Sequence, residues 1–103
     1  MRVTIIPEDG LVSIDNVGYS GLDLSFINPS VHAVQWYGEN GEIEHKDITT
    51  NRMVSNEAIN SLGAFQRALD AWSAADVAEK LAIAEAKKNA PTPSSGEIPQ
   101  SVL

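Results

Sequence analysis

The sequence predicts a small α+β fold: an antiparallel β-meander or sheet packed by one long C-terminal α-helix, followed by a flexible Pro/Ser-rich tail. Three observations predict it. The first sixty residues carry short apolar runs separated by turn residues. The stretch 62–88 has no proline, a single glycine at Gly63 and dense alanine, a composition that favours helix. The closing stretch, "NAPTPSSGEIPQSVL", is rich in Pro, Ser and Gly. The divisions fall at 1–60 for the β part, 61–88 for the helix and 89–103 for the tail.

Arg2 to Ile6 reads as the first strand, with Val3, Ile5 and Ile6 ahead of a turn at "PEDG". Leu11 to Ile14 is the second. It ends at Asp15-Asn16, a turn signal, and Val17 to Tyr19 returns as a short third strand. "GLDLSFINPS" then breaks the alternation. Its irregular apolar residues, Leu22, Leu24, Phe26 and Ile27, read as a connecting loop pinned to the core. Val31 to Tyr37 is the strongest strand. Strict alternation puts Val31, Ala33, Gln35 and Tyr37 on one face and His32, Val34 and Trp36 on the other. Gly38-Glu39-Asn40-Gly41 supplies hairpin-turn residues, and Glu42 to His45 returns. Asp47 to Ser55 reads as loop, and Asn56 to Ile59 as a lead-in to the helix.

In the helix, Phe65, Leu69 and Trp72 fall at i, i+4 and i+7 and form one apolar stripe. Ser61 reads as its N-cap, Lys87 and Lys88 complement the dipole at its C-terminal end, and Pro91 stops it. Val77, Leu81 and Ala84 form a weaker stripe, rotated from the first. The first three turns are therefore expected to dock on the sheet and the remainder to project, marginal alone and so either covered by a partner or frayed and solvated at its end.

Without the tail about 88 residues remain for the fold, a size at which the core is small. There is no cysteine, which removes disulfides, thiolate zinc sites and a cysteine nucleophile. The formal net charge of -7 argues against a nucleic-acid backbone or an anionic membrane as partner. The N-terminal apolar run is broken at Pro7, too short for a signal peptide, and no run approaches a membrane span. The chain is expected in the cytoplasm at synthesis.

The hairpin "VHAVQWYGENGEIEH" concentrates the reactive residue types. His32 and His45 with Glu42 and Glu44 are metal ligands by type, but they form no compact ligand motif. The plainer reading is a half-buried His32 and a solvated acidic edge that discourages strand pairing. Ser20, Ser25 and Ser30 lie near His32 in sequence without a G-x-S-x-G elbow. Trp36 and Trp72 read as two halves of a small core rather than a ligand pocket. A non-enzymatic role is expected, with no catalytic residues, no metal and no cofactor.

Taken in order, "MRVTIIPEDG", "VGYSGLDLS", "VHAVQWYGENGEIEH" and "NEAINSLGAFQRALDAW" resemble a family of small proteins of tailed bacteriophages and prophages, described as tail fibre assembly proteins. The resemblance covers about Met1 to Trp72. It is carried by Val31, His32, Ala33, Gln35, Trp36, Glu44, Asn56, Glu57, Ile59, Ala71 and Trp72. It implies an assembly chaperone that binds the fibre polypeptide in the bacterial host cytoplasm. The alternatives are a permanent adaptor or decoration subunit of the virion tail and a host-directed inhibitor. It implies a tail fibre or other tail protein as partner, with homo-oligomerisation a further expectation. Trp36, Tyr37, Val77, Leu81 and Ala84 are the candidate partner-binding residues.

Overall fold

The structure is a computed structural model that describes residues 1–89. Six strands form one antiparallel sheet: β1 (Val3–Ile6), β2 (Leu11–Ile14), β3 (Val17–Tyr19), β4 (Val31–Trp36), β5 (Gly41–His45) and β6 (Glu57–Ile59). Their spatial order is β3-β2-β1-β4-β5-β6. A 3₁₀ turn, Gly63–Phe65, leads into an α-helix, α1 (Gln66–Asn89). The expected α+β class is the one observed. The Pro/Ser-rich tail expected beyond the helix lies outside the described residues.

Turn chemistry sets the sheet order. Asp15 and Asn16 take φ of 49° and 72°, the mirror-image two-residue turn whose twist matches a tight hairpin, so β2 and β3 pair directly. Between β1 and β2, Pro7–Asp9 forms a 3₁₀ turn that ends on Gly10 at φ 60°. A Cβ there would lie 2.5 Å from the Leu22 carbonyl oxygen, so both the conformation and the space demand glycine. Gly41 is confined differently. It sits opposite Trp36, and a Cβ would collide with the Gln35 carbonyl oxygen.

Cross-strand partners share a face. One row across the sheet is Val12, Ile5, Val34 and Ile43; the next is Ile14, Val3, Trp36 and Gly41. This face carries the core. It is covered by Leu24 and Ile27 from the 20–30 loop and by Leu62, Phe65 and Ala68 from the helix entry. Leu69 and Trp72 pack at its margin. The opposite face carries Thr4, Ser13, Gln35 and Glu42 and, among the described residues, has no helix against it, as antiparallel sheets allow.

Three expectations are corrected. The pairing of β4 with β5 slips between Val31 and Ala33, a bulge at His32. The extra residue resets the alternation, so Val31 joins Val34 and Trp36 in the core rather than sharing a face with Ala33 and Gln35. Residues read as a lead-in to the helix contain a strand, β6, which pairs with the open edge of β5. Ser61 does accept a hydrogen bond from the Gly63 amide at 3.0 Å, but it serves the 3₁₀ turn, and the α-helix starts only at Gln66.

Candidate functional site

The apolar stripe expected on the helix is the one that docks it. Phe65 is buried, and Leu69 and Trp72 are partly buried against the core. The Trp72 indole N–H donates to the Val17 carbonyl at 2.7 Å, and its ring meets Tyr19 edge-on at 5.8 Å between centroids. One turn on, the Tyr19 hydroxyl donates to Asp76 at 2.7 Å. Asp76 is also bridged by Lys80 at 2.9 Å. The Tyr19 hydrogen bond, followed by that of Lys80, holds the Asp76 carboxyl below the usual carboxylate range. The same bond to Asp76, aided by desolvation, pushes the Tyr19 phenol up to about 12. These contacts form a polar clasp where the helix leaves the sheet.

Beyond the clasp the helix is an arm. At 1.5 Å per residue, the stretch from Val77 to Asn89 extends about 20 Å. Val77 is 57% exposed, Leu81 62% and Ile83 47%, and Ala84 is exposed too. Three of the five candidate partner-binding residues therefore stand on this arm. Ile83, which the sequence reading omitted, is eleven residues from Trp72. At 100° per residue that separation is three full turns and a little more, so Ile83 continues the docking stripe past the sheet.

The other two candidates separate. Trp36 is 7% exposed and belongs to the core, so its indole presents no docking surface in this state. Tyr37, 52% exposed, stands on the helix-free side in a network that the sequence reading did not find. The Arg2 guanidinium lies 4.7 Å from the Tyr37 ring centroid and donates to the Trp36 carbonyl at 3.0 Å and the Gln35 side-chain oxygen at 2.8 Å. Thr4 donates to that same Gln35 oxygen at 3.0 Å. The Tyr37 hydroxyl donates to Glu42 at 2.8 Å, and the Asn56 amide donates to the other oxygen of Glu42 at 2.7 Å. Asn56, followed by Tyr37, lowers the Glu42 carboxyl, and Glu42 raises the Tyr37 phenol.

Two of the hairpin residues that are metal ligands by type, His45 and Glu42, are engaged on opposite faces of the sheet. His45 Nε2 and Glu57 Oε1 lie 2.9 Å apart, while Glu42 is engaged by Tyr37 and Asn56 on the other face. Among the described residues, no group of three or more His, Cys, Asp or Glu is placed to hold a metal ion. A depression of about 480 Å³ between Pro7, Leu24, Pro29 and Val31 is flanked by Glu8 and Lys46, which face each other at 3.5 Å. No helix among the described residues is long and apolar enough to cross a membrane. Compared with known proteins, no family model, no curated protein and no solved structure matches this chain.

Proposed function

We propose that this chain is a non-enzymatic binding protein that acts as an assembly chaperone for a bacteriophage tail fibre polypeptide. The observation that carries this reading is the helical arm. A docking stripe that continues beyond its own sheet leaves Ile83 exposed in line with Trp72. Arms of this kind gain order when an apolar segment of a partner covers them. The resemblance carried by the ordered motifs from Met1 to Trp72 implies the partner, a fibre polypeptide awaiting folding or trimerisation. The acidic charge of -7 suits a chaperone that must stay dispersed while its client is exposed.

Co-expression with the fibre polypeptide tests the proposal. The expected result is soluble fibre only when this chain is present, a complex recovered by affinity purification, and particles that lack the chain by mass spectrometry. Ile83→Asp is expected to lower fibre recovery without unfolding the sheet. Fibre that is equally soluble alone overturns the proposal. Retention in particles at fixed stoichiometry also overturns it, in favour of a permanent tail subunit.

A further inference from the structure

The depression on the sheet body is bounded by two turns. The 3₁₀ turn Pro7–Asp9 stands on one side. On the other, Asn28 closes a tight turn, its carbonyl accepting from the Val31 amide and its side-chain oxygen from the Ser30 amide, both at 2.9 Å. Leu24, Ile27 and Val31, all buried in the core, line the depression together with Pro7 and Pro29. At about 480 Å³ it is large enough for a small ligand.

Charge decides what fits. The Lys46 side chain is 18% exposed, the Glu8 side chain 72%. An ammonium carries three donors. Among the described residues that of Lys46 has one partner, Glu8 Oε1, at 3.5 Å. A well-made charge-assisted bond is about 2.7–2.9 Å long, so this contact is loose and most of the donor capacity stays unused. Glu8 stands on an exposed turn, and its carboxylate can return to water at little cost.

The backbone decides what does not fit. The amides of Ser25, Ile27, Val31 and Lys46 are all bonded within the fold, and Pro7 and Pro29 have none. Six of the eight lining residues therefore offer no amide hydrogen to a ligand, which leaves a peptide strand few main-chain partners. The Ser25 hydroxyl is also engaged, donating to Asp23 at 2.6 Å. The matching ligand has a single anionic group and an otherwise apolar body.

We infer that this depression binds a small aliphatic monocarboxylate. Its chain lies against Leu24, Ile27 and Val31, and its carboxylate takes the place of Glu8 on the Lys46 ammonium. The inference is independent of the fibre reading, because no residue of the helical arm lines the site.

Octanoate is the probe, followed by two-dimensional NMR of the full chain. The expected dissociation constant is about 1 mM, as suits a ligand of roughly ten non-hydrogen atoms. The largest amide shifts are expected at Leu24, Ile27, Val31 and Lys46. Octan-1-ol and octylamine carry the same chain without the negative charge and should bind at least about 10-fold more weakly. Lys46→Met keeps an apolar stem and removes the ammonium, so it should weaken octanoate about 10-fold. Glu8→Gln, at an exposed position, removes the competing carboxylate and should tighten octanoate about 3-fold. The remainder of each spectrum reports that the variant is folded. Equal binding of octanoate and octan-1-ol overturns the inference, as does an octanoate affinity unchanged by Lys46→Met or weakened by Glu8→Gln. Shifts gathered at Val77 and Leu81 instead, or none up to about 10 mM, also overturn it. A capped Leu-Glu-Leu peptide that binds more tightly than octanoate overturns it in favour of a socket for a protein partner.

Discussion

Val34 and Val77 are the same side chain in opposite settings. Val34, at 0% exposure, lies in register between Ile5 on β1 and Ile43 on β5, under the layer formed by the 20–30 loop and the helix entry. Val77 begins the arm at 57% exposure, with the sheet behind it. The sheet half hides its large apolar residues by cross-strand register. The arm displays Val77 and Leu81 because helical phase turns them away from the sheet, and Ile83 because the helix has run past it. A valine's contribution therefore depends on which element holds it, and the difference separates fold from binding surface.

The largest effects belong to the sheet. Ile5→Ala should cost about 2–5 kcal/mol, from lost transfer energy and a cavity the close-packed rows cannot fill. Urea unfolding measures it, and a cost below about 1 kcal/mol would sink the assignment of this face as the core. Gly10→Ala follows at about 1–3 kcal/mol, since alanine must hold a left-handed backbone and also push Leu22 away. An unchanged urea midpoint would show that the loop has room to yield.

Much of the sheet was legible from sequence, because β1 to β5 each end in strong turn residues such as Asp15-Asn16 and Gly38. β6 was not legible. A three-residue strand has too few positions to display a period, and only the open edge of β5 gives it a partner. The His32 bulge was equally hidden, since a one-residue slip lies in the pairing of two strands and not in either alone. The departure of the helix from the sheet was readable in the rotation from Phe65–Trp72 to Val77–Leu81. Ile83 was readable too, because the docking period simply runs on to it. The Arg2–Tyr37–Glu42–Asn56 network had no local signal, and its members meet only through the sheet order.

The clasp between the two regions should respond to pH. The folded Asp76 carboxyl titrates below its ordinary value, so its contribution is full above the ordinary aspartate value and is lost as pH falls from there through the lowered folded value. Tyr19 titrates at about 12 when folded, so its contribution is intact below the ordinary tyrosine value and fades as pH rises toward 12. Tyr19→Phe should flatten the Asp76-linked part of both losses. The check is Trp72 fluorescence, since the indole sits beside Tyr19. An equal pH response in the phenylalanine variant would remove the clasp from the account of docking.

The smallest effect is the most discriminating, because its sign reverses between the two regions. Val34→Ala removes two methyl groups from the closed core and should destabilise by about 2–3 kcal/mol. Val77→Ala removes the same atoms from a solvent-facing helix, where no cavity forms. Alanine there also frees the backbone of a β-branched side chain that restricts helical rotamers, so the isolated arm should gain about half a kcal/mol of helix stability. Far-UV circular dichroism in dilute solution should therefore show slightly more helix in Val77→Ala than in the parent. A loss of helix in dilute solution would mean that Val77 packs on its own chain, and the contrast between sheet and arm would fail at its first residue.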